Sequence, residues 1–259
     1  MKKYLPLGAV VFCVAFFSGC VTTEKSIFTE KADKQKALEA STQAAREYIR
    51  DRNWEAAKRH LRNAIEIDDN DPQVHEALAM VFQNTGEIEL AEDHFKRAVS
   101  LDSHYARARY NYAGFLFSER RYSDAARQLE KVVEDKLYEN RSSAFELLGL
   151  CYLSEERPKD AEHAFRRAFL MDRDNVILMY RMADVYYRLE DFAASKQYYD
   201  RFRQKAKVQP AQGLWLGIRL ADKYNDENAM SSYALALKNL YPDSKEYLNY
   251  IREYGRDNK

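Results

Sequence analysis

Small residues recur along this chain at a nearly fixed interval. Ala45, Ala79 and Ala113 lie 34 residues apart, Gly149 follows 36 later, and Ala183 and Gly217 follow at 34 each. A period of 34 residues predicts a helix–turn–helix unit, used over and over. Such a unit cannot bury its apolar face alone, so neighbouring units must stack into a solenoid with an extended concave surface. The chain is therefore expected to be all-α, and to present a surface that binds other proteins.

With Leu38 as position 1 of the first repeat, like falls beside like. Position 20 reads Ala57, Ala91, Ala125, Ala161, Ser195 and Met230. Position 24 reads Leu61, Phe95, Leu129, Phe165, Tyr199 and Ala234. Position 27 reads Ala64, Ala98, Val132, Ala168, Phe202 and Leu237. Position 11 is large, with Tyr48, Phe82, Leu116, Tyr152, Tyr186 and Leu220. Small residues set the distance of closest approach and large ones fill the groove beside them. These residues resemble the tetratricopeptide-repeat family, most clearly in GEIELAEDHFKRAVSLD (86–102). The resemblance implies a right-handed superhelical solenoid of six repeats over 38–243. SKEYLNYIREY (244–254) reads as a terminal capping helix within the segment 244–259, which covers the last apolar face. The two extra residues between repeats three and four are expected in the turn near 136–141. Gly149 is expected at a close helix contact.

The N-terminus supplies an address. Lys2 and Lys3 precede the uncharged apolar run from Leu5 to Phe17, and Phe17-Ser18-Gly19-Cys20 ends it. Residues 1–19 are laid out as a signal peptide and are too short for a stable membrane span. The last four residues resemble a bacterial lipobox, with Cys20 as the acylated residue and Phe17 in place of the usual Leu. Val21, rather than Asp, follows the cysteine, which by analogy directs a lipoprotein to the periplasmic face of the outer membrane. Residues 20–37 are expected to be the lipidated cysteine and a flexible, polar tether.

Charge and chemistry narrow the function. Loss of Lys2 and Lys3 with residues 1–19 leaves 39 basic against 41 acidic residues, a net charge of −2 with no basic stripe, so nucleic acid is not an expected partner. Cys13 leaves with the signal peptide and Cys20 is acylated, so Cys151 is alone and expected to be a buried small residue. His75-Glu76 begins like a zinc-protease motif, but Ala79 stands where the second ligand is needed. No phosphate loop and no nucleophile–base–orienter set is recognisable. The chain is read as a monomeric binding protein and not an enzyme, with no cofactor and no metal.

In the tetratricopeptide-repeat family, positions 2, 5, 9, 12 and 13 of each first helix face the groove. In repeats one and two these are mostly polar: Glu39, Thr42, Arg46, Arg50, Gln73, Glu76, Gln83 and Asn84. From repeat three onward they become Tyr110, Phe117, Leu150, Leu153, Ile177, Tyr180, Tyr187, Leu214 and Ile218. These nine are the expected protein-binding groove, suited to an amphipathic or extended partner segment. The cationic clamp with which some family members hold acidic chaperone tails is absent from the equivalent positions.

Six uninterrupted repeats behind a lipobox resemble one branch in particular, the type IV pilus biogenesis and stability lipoproteins, or pilotins. The stretches 62–102 and YARARYNYAGFLF (105–117) carry that likeness. The resemblance implies a protein that binds secretin subunits, helps to bring them to the outer membrane and promotes their multimerisation. The alternatives are a lipoprotein adaptor of outer-membrane β-barrel assembly, whose repeats are fewer and less regular, or of peptidoglycan machinery.

Overall fold

A computed structural model describes residues 27–255. Among the described residues all regular structure is helical, in thirteen helices. Six antiparallel pairs follow one another: α1 (Ile27–Arg50) with α2 (Trp54–Ile67), α3 (Pro72–Thr85) with α4 (Ile88–Leu101), and α5 (Ala106–Ser118) with α6 (Tyr122–Glu134). Then come α7 (Arg141–Ser154) with α8 (Pro158–Met171), α9 (Val176–Arg188) with α10 (Phe192–Lys205), and α11 (Ala211–Lys223) with α12 (Glu227–Leu240). α13 (Lys245–Tyr254) closes the series.

Each turn inside a pair is built the same way. One residue takes a left-handed backbone: Arg52, Gly86, Arg120, Glu156, Glu190 and Asn225. The next amide then donates back to a carbonyl five residues earlier, as in Asn53 to Tyr48 (2.8 Å) and Arg157 to Tyr152 (2.8 Å). This satisfies carbonyls that the helix end would otherwise leave orphaned. Only Gly86 is of the residue type that adopts this conformation without steric cost.

The expected core is the observed one. All six residues at position 24 and all six at position 27 are buried, as are Ala57, Ala91, Ala125, Ala161 and Ser195 at position 20. At Gly149 a Cβ would fall 2.5 Å from the Phe165 ring, so α7 and α8 approach at a distance only glycine allows. Cys151 is a free, fully buried thiol, pushed up to about 12 by that burial. The long connection between repeats three and four is residues 135–140, where the sequence places it.

Two expectations need correction. Residues 27–37 are not a flexible tether, because α1 already begins at Ile27. The segment holds no glycine or proline, and Glu30 pairs with Lys34 at 3.0 Å one helical turn away. Helix also shortens its reach, at about 1.5 Å per residue. Cys20 and the remainder of the expected tether, with the signal peptide, lie outside the described residues. The second correction concerns the sixth repeat. Its turn amide, Asp226, donates to Ala221, and its left-handed residue is Asn225. Both lie one residue later than an unbroken 34-residue count from repeat five gives. The extra residue sits in the α10–α11 connection, 206–210, which is five residues long where three others have four. Position 11 of this repeat is therefore Ala221 and not Leu220. Leu214 and Ile218 move from positions 5 and 9 to positions 4 and 8, which are core positions, and are only 3 % and 0 % exposed. They pack with Ala234 and Leu237 of α12 beneath the rings of Tyr247, Tyr250 and Tyr254. Those two residues are not part of the groove surface.

Candidate protein-binding groove

The first helices of successive repeats supply the face on which the expected site residues fall. From repeat one to the start of α5 this face is polar, and most of its charged groups pair with one another. Glu76 on α3 is 2 % exposed. It accepts hydrogen bonds from Arg46 of α1 (3.1 Å), Arg107 (3.3 Å), Tyr105 (3.2 Å) and Asn111 of α5 (2.6 Å). Arg46 also donates to Gln73 at 2.9 Å, and Arg107 donates to the Tyr105 hydroxyl. Burial, with the Glu76 carboxylate nearby, pushes the Tyr105 phenol up to about 12. One carboxylate thus ties three repeats together. A buried anion needs this many donors, and the Arg107 Nε–H beside them stays buried without a hydrogen-bond partner. Thr42 is also buried, and donates to the Leu38 carbonyl within its own helix at 2.8 Å.

From Tyr110 of α5 onward the face differs. Tyr110, Phe117, Leu150, Leu153, Tyr180 and Tyr187 are half-buried, and Ile177 is 55 % exposed. Their buried edges lean on neighbours: Tyr110 on Tyr138 (ring centroids 6.1 Å apart), Phe117 on Tyr122 (5.2 Å), Tyr180 on Phe202 (5.6 Å) and Tyr187 on Phe192 (5.3 Å). Burial raises the Tyr180 phenol to about 12, with Asp184 as a second cause. Ion pairs alternate with these rings. Arg181 meets Glu146 across the repeat four–five boundary at 3.2 Å. Asp184, itself buried, pairs with Arg188 at 2.9 Å and with Arg219 of the sixth repeat at 3.5 Å. The shifted register brings Trp215 and Arg219 to the groove positions in place of Leu214 and Ile218. Arg219 lies 4.4 Å from the Tyr187 ring centroid and 5.5 Å from that of Trp215, within cation–π range.

At the junction of repeats five and six the face opens into a cleft of about 770 Å³. Val176, Ile177, Tyr180 and Phe202 form its apolar wall, Arg181, Lys205 and Lys207 its cationic side, and Val208 and Pro210 its lip. Two of the nine expected residues, Ile177 and Tyr180, line it; the other lining residues were missed by counting repeat positions. The signal that reveals them is the fifth residue of the 206–210 connection, a break in the period that also displaces the sixth repeat.

Other expectations find their places. His75 is not poised for metal; its Nδ1 lies 2.8 Å from Nδ1 of His94 and its Nε2 2.8 Å from the Asp69 carbonyl oxygen. Among the described residues no three His, Cys, Asp or Glu side chains are grouped to hold a metal ion, and no helix is long and apolar enough to cross a membrane.

Known proteins with this architecture bear on its use. Tetratricopeptide-repeat profiles match residues 42–106, 116–169 and 146–210, and also 84–137. The type IV pilus assembly protein PilF of Pseudomonas aeruginosa is 38 % identical over 249 residues, 95 % of this chain and 98 % of that protein. An uncharacterised protein of Haemophilus influenzae is 31 % identical over 151 residues, 58 % of this chain and 82 % of its own length. The solved structure of Pseudomonas aeruginosa PilF superposes with a TM-score of 0.76 over 85 % of this chain and 99 % of that one, at 38 % identity. The structure of PilW, described as a widely conserved type IV pilus biogenesis factor, is only 20 % identical and shares the fold, with a TM-score of 0.71 over 83 % of this chain and 98 % of that one.

Proposed function

This chain belongs to the tetratricopeptide-repeat family, among the relatives of the type IV pilus assembly protein PilF, and on that premise we propose that it acts in type IV pilus biogenesis as a non-catalytic adaptor. It binds secretin subunits through the aromatic half of its groove and promotes their arrival and multimerisation in the outer membrane. Cys20 carries the lipid, and the solenoid works as a monomer at the periplasmic face. The observation that supports this most is the likeness to a pilus assembly protein across 95 % of the chain. The groove supplies a physical rationale. Half-buried tyrosines offer rigid apolar bodies with polar tips, a composition that holds a partner segment at low entropic cost.

Cleavage and acylation at Cys20 would make the anchor, since each buried acyl CH₂ contributes roughly 0.8 kcal/mol of membrane affinity. The test is made in the native host. A Cys20→Ser chain is expected to leave the outer-membrane fraction, and deletion of the gene to abolish secretin multimers and pili. Normal amounts of secretin multimer in the outer membrane of the deletion strain would reject this function.

A further inference from the structure

The cleft between repeats five and six combines an apolar wall with a local excess of positive charge, and the connection that borders it differs in charge from the others. Connections 68–71, 102–105 and 172–175 each open on an aspartate, as does 135–140. The fifth, 206–210, opens on Ala206, contains Lys207 and has no acidic residue. Residues 201–207 carry four cations, Arg201, Arg203, Lys205 and Lys207, and no anion. Two of these are engaged in ion pairs: Arg203 meets Asp200 at 3.5 Å, and Lys205 meets Asp174. Lys207 forms no ion pair among the described residues and is exposed at the cleft rim.

Basic residues near a helix C-terminus often do no more than complement its dipole. Here the apolar groups say more. Val208 is 67 % exposed beside Lys207, Ile177 is 55 % exposed, and both line the cleft. Tyr180 and Phe202 line it with them. The cleft stays open because the connection is one residue longer than most of the others. α11 can still close against α10 because Gly213 faces Phe202, where a Cβ would lie 2.9 Å from the ring. The site is concave, deep enough for a side chain and positive at one side.

We propose that this cleft holds a segment of the partner protein in which an apolar side chain stands beside an Asp or Glu, the apolar group filling the space between Ile177 and Val208 and the carboxylate meeting Lys207. The inference rests on the adaptor reading above and names the chemistry of the segment. Charge at the rim then sets orientation and encounter rate, and the apolar anchor sets residence time.

The experiment uses the full-length chain in detergent, the purified cognate secretin subunit, and short fluorescein-labelled peptides tiled across that subunit. The wild-type chain is expected to retain the whole subunit and to bind those peptides that pair an apolar residue with a carboxylate. The exposed double substitution Lys207→Glu/Val208→Ser should weaken peptide binding by about tenfold or more, as for loss of an anchor and its charge partner. Raised salt should weaken the wild type more than the variant. A matched change in another loop, Lys136→Glu/Leu137→Ser, should leave binding intact. Retention of no secretin subunit by the wild type would reject the adaptor reading itself. A subunit retained but peptides bound equally by the cleft variant, or no peptide bound at all, would overturn the cleft assignment alone. So would light scattering that shows the wild type as a dimer and the cleft variant as a monomer, since the occupant would then be a second copy.

Discussion

The two halves of the groove follow one repeat pattern and put it to opposite uses. In repeats one to three the charged side chains face one another, and the buried Glu76 gathers Arg46, Arg107, Tyr105 and Asn111 into a single network. From Tyr110 of α5 onward the same face carries half-buried rings, an exposed Ile177, and a cleft with Lys207 at its rim. The first half is polar, and most of its charged groups are already paired with one another. The second is apolar and open. Polarity at a groove position is therefore a poor guide to binding: what matters is whether neighbouring repeats have already claimed the group.

The largest effect expected from breaking this comparison is on binding. Replacement of Tyr110, Tyr180 and Tyr187 together by Ala should abolish secretin capture, since loss of a single anchor typically costs about 2 kcal/mol or more. Their rings also lean on Tyr138, Phe202 and Phe192, so these positions do not simply face solvent as the repeat count implies. A modest fall in melting temperature should accompany the loss. Secretin capture at wild-type strength by this variant, measured by pull-down, would move the site out of the second half.

On the other side, Glu76→Ala should destabilise the protein by about 2–3 kcal/mol. That is less than the cost of stranding fully buried charges, because Arg46 and Arg107 retain partial access to water. Secretin capture by the folded protein should be unchanged. A variant that melts like wild type but fails to bind would reverse the roles assigned to the halves. In the fourth repeat lies Gly149, whose missing side chain makes room for Phe165. Gly149→Leu should cost roughly 1–3 kcal/mol through overpacking. An unchanged melt would mean that the α7–α8 contact is looser than described.

Much of this was legible before any coordinates. Positions 20, 24 and 27 are repeated often enough that burial follows from the period alone, and the long 135–140 connection follows from the single step of 36. The sixth repeat was misread for a physical reason. Gly217 lies 34 residues beyond Ala183 and fits the count, yet its room is made for the Tyr199 hydroxyl one position away from where the other small residues sit. A small residue announces a close contact without saying with which helix. The cleft residues that the repeat positions do not reveal, Lys205, Lys207, Val208 and Pro210 among them, lie in the α10–α11 connection and its flanks, where a repeat alignment places no weight. The Glu76 network was hidden too: its members are ordinary groove residues in sequence, and only the stacking of three repeats brings them to one carboxylate.

The smallest expected effect sharpens the comparison through pH. His75 Nδ1 and His94 Nδ1 face each other at 2.8 Å, so only one of these two nitrogens can carry a proton, and a charge on both rings would repel. Burial, with His75 beside it, lowers the His94 imidazole to about 4 from an ordinary 6.5, against a weaker opposing pull from Asp93. The unfolded chain therefore binds the proton more readily than the folded one. Stability from this group is complete above pH 6.5 and is lost progressively as the pH falls toward 4. His94 retains substantial solvent access, so the loss is discounted to about 1 kcal/mol. It should be local. Hydrogen exchange at falling pH, corrected for the intrinsic amide rate, should speed first in α3 and α4, while α9 and α10, which contain no histidine, hold their protection. His94→Gln should flatten that difference. Equal acceleration in both regions of the wild type would show that acid acts on the solenoid as a whole, and that its first half carries no titrating weak point of its own.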